Sequence, residues 1–95
     1  MSTNIIIEAA SAQDEAALLN LLTETDLPHD GVHEYLEGFL VARDESGQVN
    51  GCAGLEAHGK VGLLRSVAVS PNLQKSGLGS QLVVSIISEA RRNGI

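Results

Sequence analysis

The succession of polar and apolar positions divides the chain into seven predicted elements. Asn4 to Glu8 holds three consecutive isoleucines, a β-branched run that predicts a short strand over 4–8. From Ser11 the period becomes helical. Ala17, Leu18, Leu21 and Leu22 share one face, and Ser11 stands as N-cap with Asp14 three residues on, so a helix is expected over 11–24. It should end between Thr23 and Leu27, because Pro28 disfavours helix in the residue before it. The stretch "HDGVHEYLEG" is polar with few apolar positions, which fits a short helix at about 31–37 or an ordered loop.

Beyond it the character changes. Apolar runs at about 38–43, 49–57 and 60–69 are separated by "DESGQ" and "HGK", both with turn chemistry and both short enough for hairpins, which predicts an antiparallel meander. A last helix is expected over 77–93. Its apolar face is Leu78, Leu82, Val83, Ile86, Ile87 and Ala90, Arg91 and Arg92 suit its C-terminal dipole, and Gly94 stops it. The order is β-α-α-β-β-β-α in one domain spanning 1–95, an α/β (α+β) class with a mainly antiparallel sheet flanked by helices and no internal repeat or linker.

Composition narrows the function classes. A chain of 95 residues buries only about 60–65% of its unfolded surface. Aromatic residues are 2% (Tyr35 and Phe39), so Leu, Val, Ile and Ala must build the core. A net charge of −6 repels a phosphate backbone and argues against nucleic acid as a partner. Cys52 is the sole cysteine, which excludes an intrachain disulfide and a thiolate zinc site within one chain. "MSTNIIIEAA" has no basic leader, and its apolar run is far too short to span a membrane, so a soluble, cytoplasmic protein without a membrane partner is expected.

The candidate chemistry lies in "NLQKSGLG". A strand that passes through a glycine-containing turn into a helix points backbone N–H groups at the mouth of the turn, where the helix also carries partial positive charge. Gly77 and Gly79 allow close approach, while Lys75 and Ser76 add a charge and a hydroxyl, so a phosphate-bearing ligand is the sharp reading. The plainer one is that Gly77 turns the chain and Gly79 eases packing of helix on sheet. Two other phosphate motifs fail. "GLGSQL" has Leu82 where the dinucleotide fingerprint needs its third glycine, and "GLEAHGKV" has Val61 where a nucleotide-triphosphate loop needs Ser or Thr.

The strand "LLRSVAVSP", the loop "NLQKSGLG" and the following helix together resemble the acetyl-CoA-binding motif of the GNAT superfamily of N-acetyltransferases. Gln74, Gly77 and Gly79 match its pattern of Arg or Gln, two residues, Gly, one residue, then Gly or Ala, at the expected distance from Pro71. The order of the preceding elements agrees. The runs "ETDLP" and "GLEAHGKVGLLRSVAVSP" look most like the arsenic-resistance-associated N-acetyltransferases.

The resemblance implies a GNAT-like fold and transfer of acetyl from acetyl-CoA to the amine of a small, amino-acid-like or anionic acceptor. It implies that main-chain groups of Val67 and Val69 pair with the pantetheine arm. N–H groups over Gln74, Lys75, Ser76, Gly77, Leu78, Gly79 and Ser80 would cradle the pyrophosphate, with side chains mattering less than backbone. Relatives often carry a glutamate base on the motif strand, but Leu63 and Arg65 stand there instead. Glu56, His58 and Glu34 are the candidates for the base, each also readable as a solvated surface residue, and Arg65 is a candidate for binding an acceptor carboxylate or for pairing with Glu56.

The chain ends after the first half to two-thirds of the family domain, so it reads as a natural truncation, a cut piece or half of a split domain. A remnant that binds CoA or a partner chain without turnover is the alternative function. An unpaired edge on the 60–69 strand predicts self-association, most simply as a dimer. His29 and His33, near Asp30, Glu34 and Glu37, could suggest a metal but read as a solvated face, and no metal is assigned; Cys52 reads as a small core residue.

Overall fold

Alternation dictates how the strands are used. In β2 (Phe39–Arg43), Phe39 and Val41 point to one face while Leu40 and Ala42 point to the other, as the two-residue period of a strand requires. Both faces are apolar, so both need cover. The computed structural model, which describes residues 4–95, supplies one helix to each. α1 (Glu15–Glu24) lies over the first face, where Leu18, Leu21 and Leu22 pack with Val32, Phe39, Val41 and Cys52. α2 (Leu78–Arg92) lies over the second, where Leu78, Leu82 and Ile86 meet Ala42 and Ala53.

Between the helices, β1 (Ile6–Ala9), β2, β3 (Val49–His58) and β4 (Val61–Val69) form one antiparallel sheet in sequence order. Register runs through Glu8 opposite Val41, Leu40 opposite Ala53 and Leu55 opposite Leu64. β4 is an edge strand, with Val61, Leu63 and Leu64 exposed along it. Among the described residues no helix is long and apolar enough to cross a membrane.

Several expected bounds shift. The first strand spans Ile6–Ala9, not 4–8, and the first helix opens as a tight 3-10 turn at Ala12–Asp14 before α1 begins. Asp26, in the left-handed region at φ 61°, closes α1, and the Leu27 N–H reaches back to the Leu22 carbonyl at 2.8 Å. The last three strands and the last helix keep their places to within a residue.

The short helix expected at 31–37 is replaced by consecutive turns from Asp30 to Tyr35 and a 3-10 turn at Leu36–Gly38. So few residues cannot offset the cost of nucleating a helix, and Val32 is the only one of them fully buried. Ile87, expected on the buried face of α2, is 44% exposed. Among the described residues no strand lies beyond β4, and the outer flank of α2 is left uncovered. Ile86, Ile87, Leu55, Leu64 and Ile95 line an open cavity of about 300 Å³ there.

The start of α1 is tied to the sheet by charge. Asp14 is 7% exposed and accepts hydrogen bonds from the Ser11 N–H at 2.8 Å and from both terminal nitrogens of Arg43 at 2.9 and 3.0 Å. Arg43 also donates to Glu8 at 2.7 Å, joining β1, β2 and α1. The Arg43 fork, opposed by burial and helped by Ser11, lowers the Asp14 carboxyl from 3.8 to about 2. A depressed carboxylate stabilises the fold fully above its unfolded value and loses that contribution as pH falls through the folded one. Between pH 5 and pH 2 the domain should therefore lose roughly 2 kcal/mol through this group. Urea unfolding at stepped pH checks this. Asp14→Asn should flatten the acid limb, and an unchanged limb in that variant would show that Asp14 does not carry it.

Candidate functional site

The geometry begins with a defect in β4. Cys52 pairs with Ala68 and Gly54 with Arg65, so Ser66 and Val67 together oppose the single residue Ala53. This is a β-bulge, and Ser66 takes φ 55°, a conformation that non-glycine residues adopt at some cost. The bulge turns the Ser66 carbonyl inward, where the Cys52 thiol donates to it at 3.2 Å. Cys52 is fully buried, and that burial pushes its thiol up to about 12, so it is a packed core group and not a thiolate nucleophile at neutral pH. Ser66 was missed from sequence. Its signal was there: the polar pair Arg65–Ser66 interrupts the two-residue period of "LLRSVAV".

Beyond the bulge the backbone is aimed at solvent on one side. The Ser70 N–H donates to the Asn50 carbonyl at 2.8 Å, so Ser70 faces β3. Backbone direction alternates along a strand, and the N–H and C=O groups of Val69 and Val67 therefore face the free edge. Their side chains pack under α2, which leaves the backbone free for another use.

A compact loop follows. Pro71–Leu73 form a 3-10 turn, Gln74 is extended, Lys75 is left-handed at φ 68°, and Gly77 is left-handed at φ 91° as the N-cap of α2. The Ser76 hydroxyl donates to the Leu73 carbonyl and accepts weakly from the Leu78 N–H at 3.4 Å. Among the described residues the N–H groups of Lys75 and Gly77 have no protein acceptor, and those of Gly79 and Ser80 lie in the first helical turn, where no intrahelical acceptor exists. A Cβ placed on Gly77 would meet nothing within 4 Å. Gln74, Lys75, Ser76, Gly77 and Ser80 are exposed, whereas Leu78 sends its side chain into the core and offers only backbone. The loop can hold an anionic group by main-chain N–H donors, with the helix dipole adding to their field.

A second cluster sits on the α1 face of the β3–β4 hairpin. Glu56 and Arg65 lie diagonally across the two strands and pair through the guanidinium. The other terminal nitrogen of Arg65 donates to the Asp30 carbonyl, and the guanidinium lies 5.7 Å from the centre of the Tyr35 ring. Its Nε is buried without a partner among the described residues. Glu56 also bonds the His58 ring, and that bond, together with Arg65 and against desolvation, lowers its carboxyl below the usual range. Tyr35 is pushed up by desolvation and by Glu34 and Glu56.

The fold thus gathers Glu56, His58 and Arg65 with Tyr35 and Asp30, which sequence spacing did not single out; Glu34 stays exposed at the rim. His29 turns instead to the Thr23 hydroxyl at 2.7 Å and His33 to Glu15 at 2.8 Å, so the two histidines do not converge. Among the described residues no three potential metal ligands cluster.

The sequence model of the family described as acetyltransferase (GNAT) domain matches residues 36–95, which includes β2 to α2 and the whole loop. The amino-acid acetyltransferase of Neisseria meningitidis serogroup A is 35% identical over 85 residues, covering 84% of this chain and 20% of that protein. The chain thus spans about a fifth of that curated relative. Among solved structures, N-acetylglutamate synthase from Neisseria gonorrhoeae, complexed with coenzyme A and N-acetyl-glutamate, is 28% identical with a TM-score of 0.78, over all of this chain and 24% of that one. Rv2747 from Mycobacterium tuberculosis, in complex with CoA and NLQ, is 26% identical with a TM-score of 0.80, over 95% of this chain and 60% of that one.

Proposed function

The chain belongs to the GNAT acetyltransferase family, and from that premise we propose that it binds acetyl-CoA and transfers the acetyl group to the amine of a small, amino-acid-like acceptor. The observation that carries this is a set of main-chain groups aligned along one strand edge and into a helix N-terminus: those of Val67 and Val69 face the free edge of β4, and the N–H groups of Lys75, Gly77, Gly79 and Ser80 have no protein acceptor among the described residues. Solved relatives bind CoA, which supports the cofactor; the relatives' names as amino-acid acetyltransferase and N-acetylglutamate synthase support the acceptor class. The "ETDLP" and "GLEAHG" runs support a subgroup kinship with the arsenic-resistance-associated enzymes. Cys52 as a lone, buried thiol supports a cytoplasmic setting.

In this reading Val67 and Val69 pair with the amides of the pantetheine arm as an added strand would. The residues Gln74, Lys75, Ser76, Gly77, Leu78, Gly79 and Ser80 surround the pyrophosphate, with the N–H groups of Lys75, Gly77, Gly79 and Ser80 as its donors, while those of Gln74 and Ser76 donate to the Pro71 and Leu73 carbonyls at 3.4 and 3.3 Å. Arg65 and Glu56 form the acceptor end. Arg65 offers its guanidinium to an acceptor carboxylate that takes the place of the Asp30 carbonyl, and Glu56, ionised at neutral pH though made a weaker base by His58 and Arg65, relays the proton of the attacking amine through water. The amine nitrogen forms its bond to the acetyl carbon as the carbon–sulfur bond breaks, and the proton lost by the amine passes through water to the departing thiolate, so that CoA leaves as the thiol. Positioning supplies most of the acceleration, because a neutral amine and a thioester need alignment more than activation.

The exposed apolar residues of β4 and α2, Val61, Leu63, Leu64, Val84 and Ile87, support a homodimer that buries them. Calorimetric titration with acetyl-CoA, thiol release over a panel of amino acids, and sedimentation with and without cofactor test the whole reading. Micromolar binding, thiol release with an amino-acid acceptor, and a dimer are expected. Binding without release would favour a cofactor-binding remnant, absence of binding would refute the function, and a monomer at all concentrations would refute the dimer.

A further inference from the structure

We propose that the Gln74 side chain is a removable plug on the strand edge that receives the pantetheine arm, an inference that rests on the acetyl-CoA reading above. Gln74 Nε2 donates to the Val69 carbonyl at 3.1 Å. That carbonyl is one of the groups that alternation turns to the free edge, so the side chain occupies an acceptor that an amide-bearing arm lying along β4 would need. Both approach from the same side, because the other side of β4 is filled by β3. The loop thus folds back to blunt its own strand edge, which also guards it against pairing with another chain.

The plug is built to move. Gln74 is exposed, its backbone is extended at φ −65° and ψ 147°, and among the described residues its side chain makes no other hydrogen bond. Rotation of the side chain frees Val69 without disturbing Lys75 or Gly77. An exposed neutral hydrogen bond of this kind is worth about a two- to tenfold difference in affinity. The sign separates a plug from a brace. If Gln74 only steadied the loop, losing its amide would weaken every ligand of the loop; a plug, when lost, strengthens only ligands that carry the arm.

Gln74→Met keeps the length and removes the donor. Titration of the parent chain and of this variant with CoA and with adenosine 3′,5′-bisphosphate, which has phosphates but no arm, should show CoA binding about two- to tenfold tighter in the variant and the bisphosphate unchanged. Parallel weakening of both ligands, or unchanged CoA affinity, overturns the plug while leaving the cofactor reading intact. A parent chain that binds no CoA overturns both. A second measurement does not depend on the variant folding: in the labelled parent chain the Gln74 side-chain amide resonances should move toward their free-solvent position on saturation with CoA and stay in place with the bisphosphate. Identical spectra with the two ligands would overturn the proposal.

Discussion

Gly77→Val should weaken acetyl-CoA binding by at least about 100-fold, or roughly 2.7 kcal/mol, while the domain stays folded. At φ 91°, Gly77 sits where a β-branched residue is strained, on the order of 1–3 kcal/mol. Relief of that strain rotates the peptide planes on either side and turns the N–H groups of Gly77 and Leu78 away from the mouth of the loop. If the backbone holds instead, the methyl groups extend into open space, because no protein atom lies within 4 Å of the new Cβ. In the proposed complex the pyrophosphate fills that space. Either route removes the cradle, and neither touches the core. Calorimetric titration measures the loss, and thermal unfolding should show a drop of only about 1–3 kcal/mol. Parent-like affinity in the variant would refute the phosphate cradle.

Gly38→Ala should destabilise the domain by more than about 3 kcal/mol, a loss large enough to leave so small a chain mostly unfolded. A Cβ at Gly38 would lie 2.1 Å from the Leu55 carbonyl oxygen and 3.2 Å from its carbon. The obstacle is backbone, and β3 cannot retreat, because it is paired with β2 on one side and β4 on the other. Gly38 also ends the 3-10 turn that feeds β2, so the strain falls where the loop bearing Asp30 and Tyr35 joins the sheet. Leu55 directly precedes Glu56, so whatever fraction stays folded should also have a displaced acceptor end. Urea unfolding compares the variant with Glu45→Ala, an exposed residue in the turn between β2 and β3 whose loss should change stability by less than about 0.5 kcal/mol. A Gly38→Ala midpoint as high as that control would show that the close approach is not needed.

The loop was legible because its elements are local. Pro71, Gln74, Gly77 and Gly79 act through backbone conformations within a few residues of one another, and such conformations are written in residue type. The motif strand was legible for the same reason, with its alternation broken at Ser66. The proposed acceptor end was legible only in part. Glu56 and Arg65 were singled out, but Asp30 and Tyr35 reach them through a segment whose polar pattern suggested a short helix and which folds as successive turns.

The three-stranded meander and the last helix thus follow from the sequence alone, because period, turn residues and caps act over short distances and hairpins leave neighbouring strands little choice of partner. The place of the glycine-containing loop between β4 and α2 follows likewise. Tertiary structure decided what depends on contacts between distant residues: that Asp14 anchors α1 to β2 through Arg43, that Arg65 is shared between Glu56 and the Asp30 carbonyl, and that Cys52 holds the bulge carbonyl. It also decided that Gln74 turns back onto Val69. Each of these is a choice among several partners that the sequence permits equally, and it is made only when packing of the two helices on the sheet brings one partner within hydrogen-bond reach and moves the others out of it.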